Sequence, residues 1–338
     1  IPLSAHTVSS AEQLRKNLTE YAAKCQKESE IYDLAATYAK EANQFHERDF
    51  VVYKDRENLL EKLGESGGTA ENSDLSLNSI VILFSGQGNQ YAELGRDLYK
   101  NLPVFRKYYD ECVKILKEDA GFDLFSYKSE KENIKEDFLY SQISIFVYQY
   151  SIYQTLAEFG VQAKYLIGHS LGEYVAACAA NVFSLRDAIY LVYNRARLIE
   201  KTTDGDMIVV CRNEKEIVPY LNEEIAIASV NDQFSVSLSG TAEAIKNLKT
   251  KLMSEAVACM EIGTKKALHS PIMREIAEEY RSILNSVQFH VPDKIWISTV
   301  DGKVAGENAA GPDYWISNLC YSVRFYDGIQ YIKENTDK

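Results

Sequence analysis

Ser170 is the residue of this sequence best suited to covalent chemistry. It stands in the run Gly168-His169-Ser170-Leu171-Gly172, a G-x-S-x-G pattern. Tyr165-Leu166-Ile167 before it reads as a buried strand, and the small residues from Glu173 to Ala180 after it read as a helix. Strand, tight glycine turn and helix together make a nucleophile elbow, which aims the serine hydroxyl outward at a helix start. Side chains in place of the flanking glycines would collide with neighbouring backbone. The free N–H groups and dipole of the helix favour negative charge, so an oxyanion formed on attack would meet the N–H of Leu171.

A serine hydroxyl needs a base at neutral pH. Five histidines are available. His6 and His46 fall in a small N-terminal unit and read as surface residues. His290 precedes Pro292 and a strand. His169 lies inside the elbow and points along the chain away from Ser170, so it packs or lines the pocket. His269, in Ala267-Leu268-His269-Ser270-Pro271, opens a helix and is the candidate general base.

The elements that must position these groups can be read from periodicity. Residues 1–77 form one compositional unit. It has a short strand at its start, helices from Ser10 to about Gln26, Ile31 to Ala42 and Arg56 to Leu63, and a strand at Phe50-Val51-Val52-Tyr53. In the first helix Leu14, Leu18, Tyr21 and Ala22 share a face. The polar stretch Gly64–Asn78 has linker composition. Ile80–Phe84 then reads as a buried strand that breaks into a glycine turn at Gly86-Gln87-Gly88. Helices follow over 103–116, 141–159 and 185–199.

The segment 206–263 has a different rhythm. Strands at 207–210, 225–230, 235–238 and 258–262 alternate with helices at 214–221 and 241–255. This β-α-β-β-α-β order predicts a ferredoxin-like unit inserted in a larger domain made of 78–205 and 264–338. A helix near 273–287 and a strand at 295–299 complete the larger part. The fold class expected is α/β: a parallel-sheet, α/β-hydrolase-like domain with the inserted subdomain, preceded by a small α/β unit.

The chain has 338 residues, 46% hydrophobic and 25% charged, within the range of soluble globular domains. Its net charge of −12 argues against nonspecific nucleic-acid binding. Cys25, Cys112, Cys178, Cys211, Cys259 and Cys320 show no C-x-x-C spacing and predict reduced core thiols, with neither a zinc site nor a disulfide framework. No apolar run has membrane-spanning length and no signal peptide is visible, so a cytoplasmic protein with no membrane partner is expected. The first residue is Ile1, which suggests a piece of a larger protein or a processed chain.

Taken together, several ordered motifs resemble the malonyl/acyl-CoA:acyl-carrier-protein transacylases, and within them the acyltransferase domains of polyketide and animal-type fatty acid synthases. The motifs are Phe84-Ser85-Gly86-Gln87-Gly88-Asn89-Gln90-Tyr91, Gly168–Tyr174, Asn194-Arg195-Ala196-Arg197-Leu198, Ala267–Met273, and Tyr314-Trp315 with Asn318-Leu319 and Val323-Arg324-Phe325. They span roughly residues 80–338. Residues 1–65, with Phe45-His46-Glu47-Arg48, resemble the linker domain between ketosynthase and acyltransferase.

The resemblance implies roles for individual residues. Ser170 is acylated, and His269 serves as base and then as acid. Gln87 completes an oxyanion hole with Leu171. Arg195 holds the free carboxylate of a malonyl-type unit, a task for which a planar guanidinium is better shaped than an ammonium. Asn318 orients His269 through its backbone carbonyl. Lys266, Ala267 and Leu268 occupy the extender-selecting position. Bulky Leu268 favours malonyl over methylmalonyl, by the roughly 1–3 kcal/mol that one methylene can discriminate. Lys266 matches neither pattern. Cys320 and Ser322 stand where the family often has Arg and Pro, and Asn181 replaces a common glycine.

The expected substrates are an acyl-CoA, malonyl-CoA first, and the phosphopantetheine thiol of an acyl carrier protein; no metal or bound cofactor is required. The expected partners are that carrier and a ketosynthase domain of the same polypeptide, in a homodimeric parent synthase. A serine hydrolase or thioesterase shares the elbow, but there the histidine usually lies near the C-terminus, whereas about 70 residues follow His269. A hydrolase would also leave Arg195 without a task. A non-catalytic scaffold would not need Ser170, His269, Gln87 and Arg195 together.

Overall fold

A computed structural model describes residues 1–41, 45, 47–65, 80–88, 94–129 and 137–336. His46, Asn89, Gln90, Tyr91 and most of the polar stretch 64–78 lie outside the described residues. The chain divides into two compact units, Ile1–Ser76 and Leu77–Lys338.

In the first unit β1 (Pro2–Ala5) pairs antiparallel with β2 (Glu47–Phe50). Three helices accompany them, α1 (Val8–Lys24), α2 (Glu28–Glu41) and α3 (Arg56–Gly64). Thr7 and Asp55 cap α1 and α3 by accepting the backbone N–H of Ser10 and Asn58. Leu3, Leu18, Ala22, Ile31, Val51, Leu59 and Leu63 form the core. Two local expectations are corrected. Tyr21 sits at the rim of the apolar stripe and is exposed. The second strand is Glu47–Phe50 rather than residues 50–53, and Val51 continues its register with Ile1, donating to the Ile1 carbonyl at 2.9 Å.

The second unit begins with β3 (Ile80–Phe84), α4 (Arg96–Asn101), α5 (Pro103–Ala120), α6 (Leu124–Ser129) and α7 (Phe138–Glu158). It continues through β4 (Ala163–Gly168), α8 (Gly172–Ala179) and α9 (Leu185–Lys201). Helix α7 is buried on nearly every side, as its continuous apolar sequence requires. Its Gln149 clamps the turn after β3, accepting the Ser85 N–H at 2.6 Å and donating to the Ser85 carbonyl at 2.9 Å.

The inserted subdomain follows as β5 (Gly205–Val210), α10 (Glu214–Ile217), β6 (Ile225–Val230), β7 (Val236–Thr241), α11 (Ala242–Ser254) and β8 (Cys259–Ile262). Its strands form an antiparallel sheet in the order β6-β7-β5-β8, the ferredoxin-like arrangement. Alternate strand residues Ile208, Val210, Val236 and Leu238 pack on Ile245, Leu248 and Leu252 of α11. Helix α10 is shorter than its apolar spacing predicts. Pro219 lacks an N–H, and the chain tightens into a 3₁₀ turn over Val218–Tyr220.

The large domain resumes with α12 (Ala277–Leu284), β9 (Trp296–Ile297), α13 (Pro312–Cys320) and α14 (Phe325–Asn335). A parallel sheet runs β3-β4-β9. Parallel strands are covered on both faces, which accounts for the unbroken apolar run at Leu166-Ile167. The last strand is two residues long where five were expected. Beyond Ile297 the backbone leaves the ladder, and the Thr299 N–H bonds to the Glu173 carboxylate instead. Trp296 and Trp315 stack beneath this region with ring centroids 6.0 Å apart. Asn181 adopts φ 57°, the left-handed conformation asparagine tolerates.

The six cysteines are unpaired. Cys25, Cys112, Cys178 and Cys320 are core thiols, but Cys211 is exposed and Cys259 half-buried. No described helix is long and apolar enough to cross a membrane, and no described group of side chains could hold a metal ion.

The sheet and elbow meet with almost no clearance. A Cβ on Gly172 would lie 2.2 Å from the Phe84 carbonyl oxygen. Gly172→Ala is therefore expected to destabilise the second unit by at least about 3 kcal/mol, the upper range of overpacking. At Gly263 a Cβ meets nothing within 4 Å, so Gly263→Ala should change stability by less than about 0.5 kcal/mol. Denaturant unfolding of the two variants checks the contrast; equal effects would refute it.

Candidate active site

Ser170 follows β4 and precedes α8, with φ at 52°. This left-handed conformation is rare for serine and turns the side chain out of the path of the backbone. The turn closes through the Gly172 N–H on the His169 carbonyl at 2.9 Å. It can close only because both glycines lack a Cβ. At Gly168 a Cβ would lie 2.2 Å from the carbonyl carbon of Gly172. Among the described residues, the backbone N–H groups of Gln87 and Leu171 have no acceptor.

The structure brings Ser170 and His269 together. Ser170 Oγ lies 2.6 Å from His269 Nε2, and both residues are buried. His269 also holds a left-handed backbone, φ 56°. On the far side of the ring, Nδ1 is 3.1 Å from the Tyr321 carbonyl oxygen. A carbonyl can only accept, so Nδ1 carries the proton and the lone pair of Nε2 faces the serine.

The hydrogen bond at Nδ1 goes to the Tyr321 carbonyl where that of Asn318 was expected, and the Asn318 carbonyl also favours the protonated ring. Both carbonyls belong to the C-terminal turn of α13, whose last carbonyls lack partners within the helix. Burial, the nearby Arg195 guanidinium and His169 together push the His269 imidazole down to about 3. It therefore stands neutral at ordinary pH, the form that can accept a proton.

Arg195 lies on α9 and is 1% exposed. Its Nη1 donates to Gln142 Oε1 at 2.9 Å, and its Cζ sits 5.7 Å from the centre of the Tyr174 ring. Nε has no partner, and among the described residues Arg195 forms no ion pair. Gln142, on α7, is the link between Arg195 and the turn after β3. Its Nε2 donates to Gln87 Oε1 at 2.7 Å.

A cavity of about 120 Å³ opens over Ser170 and His269. The large domain contributes Gln87, Gln142, His169 and Leu268; Met207, Ala228, Ser229, Ser237 and Ile262 come from the inserted sheet. Leu268 therefore faces the cavity, but Lys266 and Ala267 are not among its lining residues. The Lys266 ammonium turns to the end of α9, donating to the carbonyls of Glu200 at 3.0 Å and Thr202 at 2.8 Å and to Asp204 at 2.7 Å. Ala267 is buried against Gly205. His169 lines the cavity and bonds through Nε2 to Asn231 Oδ1 at 3.0 Å. His290 and His6 lie elsewhere: the His290 N–H bonds to Val182, and the His6 ring packs on Phe45.

Three participants escaped the sequence reading: Gln142, Tyr321 and Glu173. Glu173, three residues after the serine, is fully buried. It accepts from the Thr299 N–H at 2.6 Å, from Asn318 Nδ2 at 2.8 Å and from the Tyr314 hydroxyl at 3.0 Å. Burial pushes its carboxyl up to about 7 against the pull of these donors. A charged residue in a helix otherwise made of small and apolar side chains was the available signal. For Gln142 it was a polar side chain inside the apolar α7. For Tyr321 there was none, since its contribution is a backbone carbonyl.

The arrangement can attack a carbonyl, hold the resulting oxyanion, and present a buried cation nearby. Comparison with known proteins points the same way. Residues 81–338 match the acyl transferase domain family. The chain is 30% identical over 310 residues to the highly reducing polyketide synthase tstA of Talaromyces stipitatus, covering 88% of this chain and 12% of that protein. It is 29% identical over 295 residues to the mycoketide-CoA synthase of Mycobacterium tuberculosis, covering 85% of this chain and 7% of that one. The chain thus spans a small fraction of the length of these relatives. Among solved structures, the acyl transferase domain of SpnD in complex with 2-(pent-4-yn-1-yl)malonyl superposes with a TM-score of 0.89 at 26% identity, over 99% of this chain and 81% of that one. A family match over most of the chain, together with relatives that are multidomain synthases, has one reading: the chain belongs to the acyl transferase domain family, as found in polyketide synthases.

Proposed function

We propose that this domain loads a malonyl unit from malonyl-CoA onto the phosphopantetheine thiol of an acyl carrier protein, through an ester on Ser170. The observation that carries the reading is Arg195, buried without a counter-ion behind Gln142, a residue of the cavity over Ser170 and His269, and close enough to His269 to disfavour its charged form. A buried guanidinium without a counter-ion is costly unless a ligand supplies one. The free carboxylate of a malonyl group does so, taking over the contact that Gln142 makes.

In the first half-reaction Ser170 Oγ attacks the thioester carbonyl as its proton passes to His269 Nε2. The oxyanion is received by the N–H groups of Leu171 and Gln87. Collapse breaks the C–S bond, and the imidazolium returns the proton to the departing CoA thiolate. In the second half-reaction the carrier thiol gives its proton to His269 and attacks the ester. Ser170 leaves and recovers the proton. The Tyr321 carbonyl steadies the imidazolium in both halves, as a carboxylate does in a triad.

The cavity over Ser170 and His269, with Gln87 and Gln142 on its polar side, supports binding of a carboxylated acyl group there. Leu268 on its wall supports malonyl over methylmalonyl. Residues 1–76 support a place next to a ketosynthase, by their resemblance to the linker domain; a cytoplasmic, homodimeric parent synthase is part of the same proposal.

Three measurements test the reading. Incubation with malonyl-CoA should add one malonyl group to the intact protein and none to Ser170→Ala; an unmodified wild type with every acyl-CoA tried rules the transferase out. Arg195→Ala should lower kcat/KM for malonyl-CoA about 10–100-fold, the worth of a charged hydrogen bond of about 1.5–3 kcal/mol, and leave acetyl-CoA within about threefold. Equal losses for both donors remove the carboxylate role. The third concerns pH. A histidine with the ordinary pKa of ~6.5 is about nine-tenths protonated at pH ~5.5, which would cut the rate about tenfold from its value at neutral pH. His269 is held far lower, so kcat/KM for acylation should fall less than about threefold over that interval. A tenfold fall would show that His269 titrates normally.

A further inference from the structure

We infer that Glu173 is a positioning residue, which ties the helix that carries Ser170 to the helix end that orients His269. The inference rests on the acyl-serine reading above for its reaction, and on geometry for its substance.

Glu173 lies in the first turn of α8, so its backbone moves with the elbow. Its carboxylate reaches two other segments. One is the turn after β9, through the Thr299 N–H at 2.6 Å. The other is α13, through Asn318 Nδ2 at 2.8 Å and the Tyr314 hydroxyl, which lies 3.0 Å from both carboxylate oxygens. The Thr299 hydroxyl closes the circuit by donating to the Gly168 carbonyl of the elbow at 3.0 Å. The C-terminal turn of α13 then presents the Tyr321 carbonyl to His269 Nδ1 at 3.1 Å. The nucleophile and the acceptor that orients its base are thus bound to one buried carboxylate. Glu173 touches neither substrate nor base.

Three donors converge on a side chain with no exposure to water, so removing the carboxylate strands all of them. The C-terminal turn of α13 then loses its register with the elbow, and the 2.6 Å contact between Ser170 and His269 loosens. Glutamine can replace the links. Its oxygen keeps the Thr299 and Tyr314 donors, and its amide can donate to Asn318 Oδ1, which has no partner in the native protein.

The test compares wild type, Glu173→Ala, Glu173→Gln and Asn318→Ala. Asn318→Ala keeps the backbone carbonyl near His269 and deletes only the amide held by Glu173, so it serves where Glu173→Ala does not fold. Single-turnover acylation by malonyl-CoA is followed by intact mass, which separates the rate constant from the fraction of competent protein. Labelling by a fluorophosphonate probe reads the Ser170–His269 pair without any acyl transfer.

Glu173→Ala should lower both rate constants at least about tenfold, with the half-saturating malonyl-CoA concentration within about twofold of wild type. Asn318→Ala should lower them about threefold or more. Glu173→Gln should stay within about threefold of wild type. A loss of amplitude with unchanged rate constants in Glu173→Ala and Asn318→Ala marks a merely structural role and overturns the inference, as does a Gln variant that falls as far as Ala. If wild type takes the fluorophosphonate but no acyl group from any acyl-CoA, the acyl-transfer reading fails, and the labelling rates of the variants still decide the role of Glu173.

Discussion

The active centre depends on one close approach, that of the elbow to strand β3. The Phe84 carbonyl lies where a Cβ of residue 172 would be, and the backbone of residues 172–173 lies where a Cβ of residue 168 would be. The His169 N–H donates to the same Phe84 carbonyl at 2.8 Å. With the strand and helix locked at this distance, the residue between them cannot continue the strand and cannot yet join the helix. It takes φ 52°. The strain of a left-handed serine costs of order 1–3 kcal/mol and persists because the flanking packing leaves no alternative. The direction in which Oγ points, toward His269, is thus a consequence of two missing methyl groups.

A rigid nucleophile is useful only if its base is equally fixed. Here the base is fixed by backbone. His269 has its own left-handed conformation, and its acceptor is a carbonyl at the end of α13 rather than a carboxylate. Burying that ring beside Arg195 disfavours the imidazolium, and the Tyr321 and Asn318 carbonyls offset part of this. The balance leaves a neutral base whose protonated form is tolerated only briefly. That property suits the acyl-serine chemistry proposed above, in which an ester has to outlast contact with water. The Glu173 carboxyl stands one step away, where it ties the scaffold together without pairing with Arg195 or bonding to the ring.

Much of this was legible in the sequence wherever side-chain identity alone sets the outcome. The elbow glycines, Ser170 and His269 announce themselves by type and spacing, and the inserted sheet by its alternation. What stayed hidden depends on backbone groups or on paths through space. Tyr321 acts through a carbonyl that every residue possesses. Gln142 joins Gln87 to Arg195 across three separate segments. Lys266 occupies a position that the family resemblance ties to substrate choice, yet its side chain caps α9, because the last carbonyls of a helix attract a nearby ammonium. The shortened β9 has the same origin: Thr299 has strand-like sequence, but its N–H finds a better acceptor in a buried carboxylate than in a neighbouring strand.

The two parts of the second unit divide the work at the cavity. Ser170, His269 and the acceptor-free N–H groups of Gln87 and Leu171 belong to the parallel-sheet domain, whereas Met207, Ala228, Ser229, Ser237 and Ile262 on the opposite wall belong to the antiparallel insert. Met207, Ala228 and Ile262 on that insert hold no hydrogen bond to the elbow through their side chains, whereas Ser237 accepts from Asn231, the partner of His169. Leu268 is different. It adjoins His269 in a loop whose backbone is already held at φ 56°, so a change of bulk there presses on the base as well as on the acyl group. On the acyl-transfer reading proposed above, selectivity altered at Leu268 carries a cost in rate, and selectivity altered at Met207, Ala228 or Ile262 need not. A domain of this architecture can follow a change of acyl substrate most easily from the side that holds none of its reacting atoms.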